Sequence, residues 1–366
     1  MRKLVKGPVQ PSVPQASRGH EAAASAQGQE DRPSQNQTPA QTALPPVRNP
    51  EFPQWTPYDT GHLEALRKKQ LNMEMRSMGE TTVGQEGINA QMGPVTEAYR
   101  NRHPETHYKF ARNYHAMMED VKSNQATLAD GKPLHYTVKD TFSAHTTAWR
   151  VQPHDGKIVA LGVDSLGAQD GSAITAQESI RSQMQSDPGP ISRVALINTG
   201  VQKDPVSCGI YDKTVIDNFR KHPDEVDPLL TQAFPPEKGK RERFGHSSQW
   251  FRKRDPVTVY GEQQAQGMLH PRFFKNAQSK AMLTGYLNGN PAAANALVNQ
   301  KGESIEPRLQ RLTGSEKPLE TADRMEMTRP IEKAGHKAVS QTIEYLEAKQ
   351  AYDRSLQPPP QIQSNL

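Results

Sequence analysis

The feature that most constrains the fold of this chain is a pair of short apolar runs with a helical segment between them. The runs "KIVALGV" at 157–163 and "RVALIN" at 193–198 have the character of buried strands. From Ile174, "ITAQESIRSQMQ" has helical spacing, and Thr175 is predicted as its N-cap with Glu178 completing a capping box. Strand, helix and strand in this order predict an α/β layer.

Further elements surround this unit. "AWRVQ" at 148–152 is a third β-type run, joined to the next by an Asp-Gly turn. Helical spacing runs from Thr60 to about residue 79, and again over 108–121 and 331–352. The last of these is the clearest amphipathic helix and is most simply a packing element.

The first 50 residues differ from the rest. They contain eight prolines and seven glutamines without helical or strand periodicity, which predicts a disordered leader. Such a leader is either a secretion or targeting tag or a plain tail. The chain is 34% hydrophobic with a mean hydropathy of −0.83, and its longest apolar cluster, Ile158 to Val163, is far short of a membrane span.

The charge of the chain bears on its partners. A net charge of +5 and a pI near 9.1 favour polyanions, and nucleic acid, phosphoinositide and inositol phosphates all qualify. Lys238 to Arg254 carries seven basic residues against one acid, either as a solvated loop or as a binding segment. No glycine follows Met1, so we predict no membrane anchor by N-myristoylation.

Cys208 is the only cysteine in 366 residues. A single thiol excludes an intramolecular disulfide and a Cys-rich metal site, so the thiol is either packed or reactive, and we predict no metal site. The helical pattern "GIYDKTVIDNFRKH" follows it directly. A helix N-terminus favours a thiolate because the helix dipole and free N–H groups stabilise negative charge.

A thiol nucleophile needs a base and a group that orients the base. His145 precedes a predicted strand and Asp164 closes another, so both suit a site at a sheet edge. Each also has an ordinary reading, as a surface histidine and a turn residue. His154 is a rival base in a hairpin turn, where a histidine is usually solvated. Gln202 lies six residues before the thiol, where its amide could stabilise an oxyanion.

The order His145, Asp164, Gln202, Cys208, with gaps of 19, 38 and 6 residues, resembles the YopJ family of bacterial type III effectors, which is related in fold to the Ulp-type SUMO proteases. The best local match is "ISRVALINTGVQKDPVSCGIY", similar to the strand, glutamine loop and nucleophile helix of the family. "LHPRFFKNAQSK", "LVNQKGES" and "HYKFARNY" resemble further family segments. The chain departs from the family pattern in having aspartate where many members have glutamate, and Asn276 where the family has histidine.

This resemblance implies an α+β or α/β fold, with an Ulp-like cysteine protease core of mixed sheet and surrounding helices, plus a helical regulatory region. It also implies acetyl transfer from acetyl-CoA to Ser, Thr or Lys of host proteins, activated by inositol hexakisphosphate (IP6). His145, Asp164 and Cys208 would form the triad, with Gln202 at the oxyanion. Lys275 and Arg112 match positions that touch IP6, and Lys301 is a weaker candidate for a phosphate of CoA.

The expected organisation follows from the same resemblance. The predicted parts are a leader (1–55), an N-terminal helical part of the regulatory region (56–130), the catalytic core (131–230), a basic regulatory and CoA-binding region (231–330), and a C-terminal helix and tail (331–366). The leader would serve bacterial secretion machinery or a chaperone. The protein would then act in the cytoplasm or nucleus of the host, without nucleic acid as a partner.

Two other functions stay open from the sequence. The same triad hydrolyses amides, so the chain could be a cysteine protease that removes ubiquitin-like modifiers. It could also be a non-enzymatic scaffold whose basic surface binds inositol phosphates and whose thiol is merely buried.

Overall fold

The computed structural model describes residues 60–77, 89–203, 207–235, 255–299, 301–308 and 328–355. The predicted leader and the basic segment from Lys238 to Arg254 lie outside these residues.

A six-stranded mixed sheet forms the centre of the molecule, with its strands in chain order across the sheet. The strands are β1 (Tyr108–Ala111), β2 (Leu134–Lys139), β3 (Thr146–His154), β4 (Lys157–Asp164), β5 (Ile191–Asn198) and β6 (Val257–Tyr260). Strand β3 is antiparallel to both of its neighbours, whereas the pairs β1–β2, β4–β5 and β5–β6 are parallel. The start of β3 therefore meets the ends of the other five strands at one edge of the sheet.

The described residues contain ten helices whose first and last residues are defined. They are α1 (Thr60–Ser77), α2 (Met92–Arg102), α3 (Tyr114–Ser123), α4 (Gln125–Ala129), α5 (Gly171–Ser186), α6 (Cys208–Lys221), α7 (Val226–Ala233), α8 (Glu262–Met268), α9 (Lys280–Gly289) and α10 (Thr328–Ser355). Short 3-10 turns occupy Asn89–Gln91, Pro104–Thr106, Pro223–Glu225, Pro271–Phe274 and Pro291–Asn295.

The helices cover both faces of the sheet, because successive strand residues point to opposite sides. One face of β4 carries Val159, Leu161 and Val163, which pack in the core formed with α1, α2 and the helices from α6 to α10. The other face carries Ala160, which packs in the core formed with α3, α4 and α5. Gly162 shares the second face with Trp149, and a Cβ at this position would meet the indole ring at 2.7 Å. The glycine thus leaves room for the largest buried side chain of the sheet.

The predicted fold class is confirmed: the structure is a mixed sheet with surrounding helices. Predicted runs 148–152, 157–163 and 193–198 lie within β3, β4 and β5. The predicted helix 331–352 lies within α10, which packs on α1 and α2.

Two local predictions were wrong. Residues 108–111 form strand β1, and the helix predicted over 108–121 begins only at Tyr114, where Asn113 caps it by accepting a hydrogen bond from the Ala116 N–H. Helix α5 begins at Gly171 with Asp170 as its N-cap, and Thr175 lies within it with its hydroxyl bonded to the Gly171 carbonyl. Asp170 caps the helix because its carboxylate accepts a hydrogen bond from the Ser172 N–H, which has no partner within the helix.

None of the helices in the described part of the chain is both long enough and apolar enough to cross a membrane.

Candidate active site

The edge where β3 begins and β4 ends brings an imidazole and a carboxylate together. His145 immediately precedes β3, and Asp164 is the last residue of β4. The Nε2 atom of His145 lies 2.9 Å from Oδ1 and 3.0 Å from Oδ2 of Asp164. The histidine is 5% exposed and the aspartate 0%, so water does not compete for this contact.

The carboxylate changes the charge state of the imidazole. Burial on its own lowers the pKa of His145, but the charge and the hydrogen bond of Asp164 outweigh it, with a smaller contribution from Cys208, so that the pKa is raised well above its usual value. Asp164 is itself held by the Leu166 N–H, which donates to Oδ1 over 2.8 Å. The site therefore keeps the ring protonated near neutral pH.

Cys208 is the first residue of α6 and is 1% exposed. Cys208 lies close enough to the His145 ring to help raise the pKa of that histidine, and since Nε2 faces Asp164, Nδ1 is the ring atom left for the sulfur. The first turn of α6 contains no acidic residue, and the helix dipole favours negative charge at this end of the helix. A buried thiol beside a histidine base is the arrangement that a cysteine nucleophile requires.

A second buried carboxyl group lies behind the pair, one turn along α6. Asp212 is 1% exposed, and burial raises the pKa of Asp212 well above its usual range, against the pull of Thr146 and of the His145 charge. Burial thus disfavours the charged form of Asp212. Asp164 is the carboxyl group that contacts the ring directly.

Gln202 lies in the loop between β5 and α6, next to the end of β4. Its Oε1 accepts a hydrogen bond of 2.5 Å from the Ser165 hydroxyl, and its backbone N–H donates to the Ser165 carbonyl over 2.9 Å. Ser165 follows Asp164 directly. The contact holds the Gln202 side chain beside the end of β4.

One residue that the sequence reasoning missed also touches the sulfur. The Nδ2 atom of Asn89 lies 2.8 Å from Sγ of Cys208. Asn89 precedes α2, more than a hundred residues before the thiol, and "GINAQMGP" contains no motif that would have indicated it.

The segment "FFKN" packs against the nucleophile helix. Tyr211, in the turn that follows Cys208, donates from its hydroxyl to the Asn276 carbonyl over 2.6 Å. The Gln278 N–H donates to the Val201 carbonyl over 2.8 Å, beside the glutamine loop. These bonds join segments that are far apart in the chain into one site.

A group of cations lies further along α6, and we call it the cation cluster. Its members are Arg102, Lys213, Lys221, Arg272, Lys275, Arg308 and Lys337. Burial is the main cause that lowers the pKa of Lys213 and of Lys275 to about 8, and the neighbouring cations add to it while Asp217 opposes it. Both lysines are half-buried. Such crowding of cations around one aspartate is typical of a polyanion site.

The other predicted ligand residues lie as follows. Lys301 is exposed in a turn, with its N–H bonded to Asn299. That turn contacts the cluster through Glu303, whose carboxylate lies 3.3 Å from Arg308. Arg112 is exposed in the turn between β1 and α3. Asn276 is buried, with its Oδ1 bonded to Arg308.

No group of three or more His, Cys, Asp or Glu side chains within the described ranges could hold a metal ion.

Comparisons with known proteins give the chain a family. A family model described as YopJ serine/threonine acetyltransferase matches residues 64–346. No curated protein matches the chain by sequence.

Solved structures of low sequence identity share the fold. A structure of an AvrA deletion variant with IP6 and CoA has a TM-score of 0.60 at 15% identity, and the match covers 77% of this chain and 98% of that one. HopZ1a in complex with IP6 and CoA has a TM-score of 0.56 at 14% identity, over 78% of this chain and 96% of that one. HopZ1a with IP6 gives 0.58 at 13% identity, over 79% and 96%.

Proposed function

The chain belongs to the YopJ family of serine/threonine acetyltransferases, and from that premise we propose that it transfers acetyl groups from acetyl-CoA to Ser, Thr or Lys side chains of host proteins in a ping-pong reaction. The observation that carries this proposal is the buried His145 ring, which is bonded to Asp164 and lies beside Cys208.

In the first half-reaction, the Cys208 thiolate attacks the carbonyl carbon of the acetyl thioester. The carbon–sulfur bond to CoA then breaks, and the His145 imidazolium gives its proton to the departing CoA sulfur. The products are acetyl-Cys208, a neutral imidazole and free CoA. Asp164 stays ionised and holds the ring throughout.

In the second half-reaction, the neutral ring takes the proton of an acceptor hydroxyl or amine as that group attacks acetyl-Cys208. Collapse of the adduct expels the Cys208 thiolate and leaves His145 protonated, which restores the starting state. The oxyanion of both adducts would accept hydrogen bonds from the Gln202 amide and the Cys208 N–H. The contact with Ser165 supports this role for Gln202 because it holds the side chain next to Asp164 before the reaction.

The cation cluster is the proposed site of IP6. Two observations support this assignment. Cations crowd around Lys213 of α6 and around Lys275, and the AvrA and HopZ1a structures were solved with IP6. We assign Lys275 to IP6 and Lys301 to a phosphate of CoA. The assignment of Arg112 to IP6 stays a prediction.

We further propose that the protein reaches the host cytoplasm or nucleus through a type III system, with residues 1–55 read by the secretion machinery or a chaperone. These proposals rest on the family. The domain limits predicted above belong with them.

Intact mass after incubation with acetyl-CoA tests the reaction, with and without IP6. We expect one added acetyl group on the native chain and none on Cys208→Ala, followed by transfer to an added acceptor protein. Equal acetylation of the two proteins would reject the mechanism. Release of a ubiquitin-like modifier without acetyl-CoA would favour the protease instead.

A further inference from the structure

Asn89 contacts the sulfur of Cys208 but has no part in the mechanism described above. Its Nδ2 donates to Sγ of Cys208 over 2.8 Å and to the Ala144 carbonyl over 3.0 Å. Its Oδ1 accepts from the Gly209 N–H over 3.1 Å. The side chain is 8% exposed.

These three contacts fix the orientation of the amide. A backbone N–H can only donate, so the atom that faces Gly209 must be the oxygen, and the NH₂ group must face the sulfur. The second N–H of the same group reaches Ala144, which directly precedes His145. The amide thus bridges the nucleophile and the loop that carries its base.

The chain makes room for this contact. A Cβ at Gly209 would meet the sulfur of Met92 at 2.6 Å and Oδ1 of Asn89 at 3.1 Å. Glycine after the cysteine therefore allows the start of α2 to approach the start of α6, which places Asn89 on the sulfur.

We propose that Asn89 is a catalytic residue, whose amide donates a hydrogen bond to the ionised Cys208 sulfur and keeps the His145 loop beside it. A donor to a thiolate stabilises the charged form over the neutral thiol, as donors do for a carboxylate. The donor contact disappears when the sulfur carries an acetyl group and its charge is gone. As a part of acetyl transfer this role rests on the proposed function.

Alkylation of the full chain by iodoacetamide, measured against pH in the absence of acetyl-CoA, tests the proposal. Cys208 is the only thiol, so the rate reports on that sulfur alone. We expect Asn89→Asp to raise the pH midpoint of alkylation by one unit or more, because it replaces the donor with a negatively charged acceptor. Asn89→Ala should raise the midpoint by a smaller amount and slow acetyl-Cys208 formation at least tenfold.

Gln91→Ala is the matched control. Gln91 lies in the same 3-10 turn, and its Oε1 is bonded to His62 rather than to the site. Its alkylation profile should coincide with that of the native chain. Asn89→Asp keeps the shape of the side chain and the acceptor for the Gly209 N–H, so it retains the fold if Asn89→Ala does not.

Superimposable alkylation profiles for the native chain and Asn89→Asp would overturn the proposal. The readout needs no acetyl donor, so it separates the two proposals. A shifted midpoint without any acetyl transfer removes the proposed function and leaves Asn89 as a donor to the sulfur. Acetyl transfer with an unshifted midpoint supports the proposed function and removes the role of Asn89.

Discussion

When IP6 binds to the cation cluster at pH 8, we expect the protein to take up about one proton from solution. Burial lowers the pKa of Lys213 and Lys275 to about 8, so each is half protonated at that pH before binding. A bound polyanion favours the charged ammonium and returns each pKa toward its ordinary value of about 10.4. Each lysine then takes up roughly half a proton.

The same linkage fixes how this uptake varies with pH. For two lysines it amounts to about 0.2 proton at pH 7 and about 1.7 protons at pH 9. The slope of log affinity against pH equals the number of protons taken up, with a negative sign. The contribution of the lysines to affinity therefore falls about tenfold per pH unit around pH 8.

Titration calorimetry in buffers of different ionisation enthalpy measures the proton number directly. The phosphates of IP6 also exchange protons, so the double variant Lys213→Arg/Lys275→Arg provides the reference. Arginine stays charged throughout and takes up no proton. We expect the native chain to take up about one proton more than the variant at pH 8. The same proton number in both proteins would refute the reasoning, because it would show that neither lysine is neutral before binding.

Three further predictions concern the sheet and the site. Gly209→Ala should force a Cβ against Met92 and lower the free energy of unfolding by about 1 to 3 kcal/mol in denaturant titrations, whereas Gly171→Ala, with nothing within 4 Å of its new Cβ, should not. Asp164→Asn should slow acetyl-Cys208 formation by a factor of about 10² to 10⁴ in rapid-quench measurements, because it removes the charge that keeps the imidazole protonated; an unchanged rate would remove Asp164 from the triad. His135 is buried, and desolvation lowers its pKa to about 3. Its contribution to the free energy of unfolding is therefore complete above pH 6.5 and is lost as pH falls toward 3. His135→Gln should flatten the dependence of the free energy of unfolding on pH between 6.5 and 3, and the same slope in both proteins would show that His135 is not the group that titrates.

Local patterns predicted the centre of the fold. Strands β3, β4 and β5 were readable because they are continuous apolar runs, and α10 because its apolar stripe is regular. "LHYTVK" of β2 and "VTVY" of β6 are too short and mixed to stand out. In β1, helical spacing continued backwards across "YKFA", and only pairing with β2 makes these residues a strand.

The site was readable to the extent that its residues lie at strand and helix ends. His145, Asp164 and Cys208 each lie at the end of a regular element, and the family resemblance indicated their roles. Asn89 could not be found in this way, because its contact depends on how α2 packs against α6. The same holds for the cation cluster, whose members come from five separate parts of the chain.

The bond between the Tyr211 hydroxyl and the Asn276 carbonyl spans 65 residues, and the contact of Asn89 with Cys208 spans 119. Each contact forms only when the two parts of the chain that it joins have packed together. A partly folded chain lacks the Asn89 contact, so the dependence of Cys208 alkylation on pH would report whether the start of α2 has packed against α6.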